Sequence, residues 1–334
     1  MNRNLSLDTC AFFMMLKYAS QYSKNGIEAL DNKINEIEEK YKNNFNELNE
    51  TMDYLLSFEN INTNNISFEN KIKFLTEKFE NSKKAEGETI FNNLLSKYKN
   101  SFNDFYIGKL FKARIQNKVN FFVTPTAFDE INYHRASTVD ARALLDDLSK
   151  KADKGIHKFS DKSIDGLMNY CVVLTYANDE QKRKVAKLSE IVRGIQSDVN
   201  GNVYKFYPAF NPNDTNRQNV HSDSTIMCEA ESFNTNLVTT NLKDFIYYEK
   251  DENFSRFNDD GTINPARRNL VKEIFEKLGL NSDCLAYSPE EFFKMIEKNE
   301  LEKKKTQIVE SNASKNSEKK KQKNANFEEI ERSL

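Results

Sequence analysis

A chain of 334 residues, 38% of them hydrophobic and including 25 Phe and 14 Tyr, can bury the core of one large domain or two small ones, despite a mean hydropathy of -0.75. Its formal charge of -2 excludes a globally basic nucleic-acid binder, so affinity for any polyanion has to come from local patches. Cys10, Cys171, Cys228 and Cys284 lack metal-type spacing and His134, His157 and His221 are scattered, which argues against a zinc enzyme and for reduced core thiols.

Asn4-Leu-Ser-Leu-Asp8-Thr9 predicts a short strand ending in an acid, with a helix begun by the apolar run 11–16. After a break around Asn25-Gly26, residues Ile27, Leu30, Ile34, Ile37, Tyr41, Phe45, Leu48, Met52 and Leu55 recur close to a heptad seam. A turn at 60–65 separates this helix from two amphipathic stretches, 66–79 and 90–111. Residues 26–112 are therefore expected to form an inserted helical, coiled-coil-like hairpin packed on itself. The sharper alternative is an arm for a protein partner, for self-association or for a nucleic acid.

Asn120-Phe-Phe-Val predicts a second strand, turning at Thr124 as cap and Pro125 as first helical residue into a helix that carries Glu130. Three more helices are expected, at 139–151, 162–177 and 180–196. The middle one, with Leu167, Met168, Tyr170, Cys171, Val172, Val173 and Leu174, reads as buried. The third, Gln181-Lys-Arg-Lys-Val-Ala-Lys187 with Arg193, is strongly cationic, and such a run is usually a solvated face. The aromatic stretch 203–210 reads as an edge strand or loop on the core, or as a stacking surface for bases.

The stretch 219–233 predicts a helix capped by Ser222 or Ser224, with Asp223 at its start and Ile226, Ala230 and Phe233 inward. A buried strand over 237–240 follows, ending in small polar residues. Asp259-Asp260-Gly261 reads as a turn, Pro265 as the start of a helix to 278, and 284–298 as a last strand and helix. The Lys-, Ser- and Asn-rich tail, 301–334, is expected to be disordered. No apolar run approaches about eighteen residues and no basic-then-hydrophobic leader opens the chain, so a cytoplasmic protein without a membrane span is expected.

Asp8, Glu130 and Asp223 each fall near a strand–helix corner. Ligand sites in open α/β sheets lie just beyond the carboxyl ends of strands, so acids there suggest a site, although acids at helix starts are most often caps. Capping and solvation suffice for Asp129, Asp140, Asp146 and Asp147. The chain has no phosphate-binding Gly-x-x-x-x-Gly-Lys loop, no dinucleotide glycine pattern and no Asp-x-Asp start at Asp8.

The order Leu7-Asp8-Thr9, then Thr124-Pro-Thr-Ala-Phe-Asp-Glu130-Ile131, then Asp223 before Ala230, then Leu237-Val-Thr-Thr-Asn-Leu-Lys-Asp-Phe245, resembles the PIN-domain nucleases. Cys284-Leu-Ala-Tyr-Ser-Pro-Glu-Glu-Phe-Phe293 looks like that family's last strand and helix. The resemblance implies an α/β, PIN-like three-layer fold with a small central parallel sheet flanked by helices. It covers 1–25 and 113–300 and leaves the helical insertion unexplained. It further implies an endoribonuclease that hydrolyses RNA phosphodiester bonds with Mg²⁺ or Mn²⁺. Asp8, Glu130, Asp223 and Asn241 would be its catalytic and metal-binding residues. Asp244 would assist at the metal, and Thr9, Thr240, Lys243 and Arg135 would contact the RNA, expected to be single-stranded. Asn241 departs from the Asp often found there: its carbonyl can ligate but supplies no charge. Near such a cleft the cationic helix at 180–196 could hold phosphates. The competing reading is a catalytically weak PIN-like scaffold that binds a protein or RNA partner through its helical insertion.

Overall fold

Five short parallel strands organise the computed structural model, which describes residues 3–81, 87–133, 135–136, 159–200, 218–240, 286–303 and 305–306. They are β1 (Asn4–Leu7), β2 (Asn120–Val123), β5 (Cys171–Val173), β6 (Asn236–Val238) and β7 (Ala286–Tyr287), in the spatial order β5-β2-β1-β6-β7. A separate parallel pair joins β3 (Arg135–Ala136) to β4 (Phe159–Ser160). Leu5 is level with Phe121 on one side and with Asn236 on the other, and Leu7 with Val238. Leu5 and Leu7 face one side of β1 and Ser6 the other, yet all three are buried, so both faces of the sheet are covered. Buried Ser6 satisfies its hydroxyl against Thr235 Oγ1 at 2.6 Å. The chain is therefore α/β, with a small all-parallel sheet and mostly helix around it.

Three helices lie between β1 and β2: α1 (Thr9–Ser57), α2 (Phe68–Asn81) and α3 (Glu88–Ile115). The expected break at Asn25-Gly26 is a kink within α1, where Gly26 takes φ 75° and ψ -161°, backbone that is essentially reserved for glycine. The heptad-like seam is largely realised: Leu30, Ile34, Ile37, Leu48 and Met52 are buried. At the far end Leu48, Met52 and Leu56 pack with Leu75 and Phe79 of α2 and Phe91, Leu94 and Leu95 of α3, a core of its own. Nearer the sheet, Tyr18 donates to the Asp104 carbonyl at 2.9 Å and contacts its carboxylate at 3.0 Å, while Lys17 pairs with the same carboxylate. Gly108 lets α3 approach this point: a Cβ there would lie 2.7 Å from Tyr18 Cε1 and 3.0 Å from Ile34 Cγ1.

The later helices are α4 (Pro125–Tyr133), α5 (Asp161–Met168), α6 (Asp179–Asn200), α7 (Gln218–Ser232) and α8 (289–303). As expected, Thr124 caps α4, its carbonyl accepting from Phe128 N at 2.9 Å. Ser288 and Glu291 exchange side-chain and backbone bonds at the start of α8, a capping box. Residues 2–291 make one compact unit, and a second begins at Phe292.

Four expectations need correction. The stretch 162–177 is a helix only to Met168; the Asn169–Tyr170 turn and β-branched Val172 and Val173 divert it into β5. That strand is not buried, for among the described residues it pairs with β2 only and leaves Val172 53% exposed. Helix α7 starts at Gln218, so Asp223 lies past the first turn rather than at the helix start, and Ser222 and Ser224 are internal. Cys10 is exposed rather than a core thiol, whereas Cys228 is buried. The helix at 139–151, the aromatic stretch 203–210, the turn at 259–261, the helix from Pro265, Cys284 and most of the tail lie outside the described residues.

Candidate functional site

The sheet reverses its winding at β1: the chain goes first to β2 and β5 on one side, later to β6 and β7 on the other. Such a switch point opens a crevice beyond the carboxyl ends of the two central strands. Asp8 follows β1 directly and Thr239 follows β6 directly, and because Leu7 is level with Val238 the two residues meet there. The Thr239 hydroxyl donates to Asp8 Oδ2 at 2.9 Å, and the Asp8 amide donates to the Val238 carbonyl at 3.0 Å. Glu130 arrives from α4, where its Oε2 accepts a bond from the hydroxyl of Thr9, the first residue of α1.

Asp8 is a carboxylate in an unfavourable place. It is only 3% exposed. Burial, and then the charge of Glu130, push its pKa from an ordinary 3.8 up to about 7. The Thr239 hydroxyl and the nearby Thr9 and Cys10 amides pull the other way without cancelling that rise. Two acids held so close repel one another until a proton or a cation intervenes. Oxygen donors of this kind suit a hard divalent ion.

The structure thus brings together Asp8, Thr9 and Glu130 of the residues expected at the site. Asp223 lies on the first half of α7, which packs against α4 and turns back into β6 through Phe233 and Asn234. That half of α7 points toward the same carboxyl edge. Among the described residues, however, no group of three or more His, Cys, Asp or Glu side chains is close enough to hold a metal ion. Thr240 is half-buried next to Thr239, and Arg135 is placed by its backbone in β3. Asn241, Lys243 and Asp244 lie outside the described residues.

Two residues that sequence reasoning passed over are central here. One is Thr239, whose register beside Asp8 only the sheet pairing reveals. The other is Glu229, wholly buried on α7. Its Oε2 accepts from the Thr126 amide at 3.1 Å and its Oε1 from the Thr126 hydroxyl at 2.8 Å, and Tyr176 Oη also donates to it. Glu229 therefore docks α7 onto the start of α4, where backbone amides and the helix dipole favour an anion. Burial nevertheless raises its pKa above the ordinary range, and the three hydroxyls of Tyr176, Thr124 and Thr126 oppose that rise. The available signal was an acid inside the apolar run Ile226-Met-Cys-Glu-Ala230. At about 1.5 Å per residue, Asp223 lies about 9 Å along the α7 axis from Glu229.

No family model matches the chain, no curated protein is similar to it, and no solved structure matches it.

Proposed function

We infer that the chain is a metal-dependent endoribonuclease of the PIN-like kind. The observation that carries this reading is buried Asp8 with half-buried Glu130 beside it at the switch-point crevice of an all-parallel sheet. A small parallel sheet with acids at its carboxyl edge is the arrangement the motif order implies. In this reading Asp8 and Glu130 hold Mg²⁺ or Mn²⁺, Asp223 approaches from α7, and Asn241 and Asp244 complete the set. A bound divalent ion supplies an activated water and charge neutralisation at the phosphodiester. Thr239 and Thr9 orient the two carboxylates through the bonds described above. Thr240, Lys243 and Arg135 would be the RNA contacts that the motif order implies.

The test is cleavage of a mixed-sequence single-stranded RNA with Mn²⁺ or with EDTA, by wild type and by Asp8→Asn, Glu130→Gln and Asp223→Asn. Cleavage that needs Mn²⁺ and is lost in all three variants is expected. Cleavage that survives Asp8→Asn excludes this site. The second reading, a catalytically weak scaffold, draws on the lack of a third converging acid among the described residues. It prevails if wild type neither cleaves RNA nor responds to Mn²⁺.

A further inference from the structure

The cationic run on α6 is not absorbed by the acidic site. Lys182, Arg183, Lys184 and Lys187 are all exposed. None of the four side chains makes a hydrogen bond or an ion pair among the described residues. Elsewhere Lys33, Lys42, Lys71, Lys78 and Lys112 each pair with an acid. The acids on the same helix, Asp179, Glu180 and Glu190, bracket the run at its two ends. The first two lie in the first turn, where the dipole favours them.

The other face of α6 is fixed. Val185, Leu188 and Ser189 are buried, and α6 packs along α7. Gln181 Nε2 donates to Ser232 Oγ at 3.0 Å, and Ser189 Oγ lies 2.8 Å from Thr225 Oγ1. As the number rises on α6 it falls on α7, so the two helices are antiparallel. The cationic run therefore lies beside the second half of α7 and ends near its middle, on the side toward Asp223. By this pairing Lys187 is level with about residue 227 of α7. That is about 6 Å along the axis from Asp223, at about 1.5 Å per residue.

We propose that the exposed face of α6 formed by Lys182, Arg183, Lys184 and Lys187 binds the phosphate backbone of single-stranded RNA and leads it along α7 toward Asp223. The choice of RNA as the polyanion rests on the nuclease reading; the charge complementarity does not. At about 100° per residue Arg183 and Lys187 share the side opposite the buried face, with Lys182 and Lys184 on its two flanks. Cations this close on one helix repel in the free protein, and a chain of phosphates relieves that repulsion. In a protein of net charge -2 the attraction is local, so it belongs to this face and not to the molecule as a whole.

The experiment uses the full chain and a fluorescein-labelled 20-nucleotide RNA of mixed sequence, followed by anisotropy in EDTA from 50 to 300 mM KCl. The variant Lys182→Gln, Arg183→Gln, Lys184→Gln, Lys187→Gln is compared with a control of equal charge change, Lys24→Gln, Lys40→Gln, Lys73→Gln, Lys97→Gln, also at exposed lysines. The α6 variant should bind at least tenfold more weakly at 50 mM KCl. Its slope of log Kd against log salt should fall by up to about 2.8, at about 0.7 per lost phosphate contact. The control should stay within about twofold of wild type. Wild-type-like binding by the α6 variant, equal loss in the control, no RNA binding by wild type, or equal competition by polyglutamate at matched charge each overturns the proposal. Cleavage with Mn²⁺ is read separately. RNA binding through α6 without cleavage overturns the nuclease reading and leaves the surface standing. Cleavage with no binding defect in the α6 variant does the reverse.

Discussion

The Thr239 hydroxyl holds Oδ2 of Asp8 at 2.9 Å, tying together the carboxyl ends of two adjacent strands whose residues are 231 positions apart in the chain. This bond steadies a buried carboxylate without neutralising it. Losing it in Thr239→Val should raise the Asp8 pKa further, because the hydroxyl is one of the groups that lower it. In a metal-free titration of wild type and variant, followed by carboxyl chemical shifts, the variant should titrate at higher pH.

Asp8 makes metal-free stability depend on pH in a defined direction. Its folded pKa, about 7, lies above the ordinary 3.8, so the folded state holds more protons than the unfolded state between those values. Stability should therefore fall as pH rises from about 4 to about 7, with the cost fully present above that window. Asp8→Asn should flatten the slope and stabilise the metal-free protein near pH 8 by about 2–4 kcal/mol. Thermal melts in EDTA at several pH values check the sign.

Mn²⁺ should reverse that cost. If the acids share an ion, melting temperature should rise with Mn²⁺, by the equivalent of about 2.7 kcal/mol at a hundredfold excess over Kd. Asp223→Asn should remove this shift together with RNA cleavage, and Asn241→Asp should enlarge it. A shift that persists undiminished in both Asp8→Asn and Asp223→Asn would mean that the ion binds elsewhere.

Glu229 should prove a structural keystone between α4 and α7. Glu229→Ala strands the Thr126 amide and the hydroxyls of Thr126 and Tyr176 in a half-buried place, and should cost about 2 kcal/mol. Glu229→Gln keeps one acceptor and should cost clearly less. Urea denaturation of the two variants separates these outcomes.

Gly108→Ala tests the junction of the helical excursion with the sheet. The added methyl meets the rigid ring of Tyr18 at 2.7 Å, so α1 and α3 must separate, at a cost of about 1–3 kcal/mol. Gly26→Ala meets no atom within 4 Å but forces φ 75° on a residue with a side chain, and should cost a similar amount. A neutral result in denaturant melts at either position would contradict the helix path described here.

Local pattern by itself determined much of this protein. Leu5 and Leu7 around Ser6, the apolar repeat from Leu30 to Met52, and Thr124-Pro125 before α4 each specify their element through near-neighbour chemistry, and each appears where that chemistry puts it. The motif order also singles out Asp8 and Glu130. Only the tertiary structure decided the rest. Val172 and Val173 follow a helix and could have extended it; pairing with Phe122 and Val123 makes them a strand. Glu229 reads as one more surface acid until α4 delivers Thr126 to it. Thr239 becomes a partner of Asp8 only through the register of β1 with β6. Periodicity reports which face of an element is buried. Which distant residue meets that face depends on strand order and helix packing, and those are properties of the whole chain.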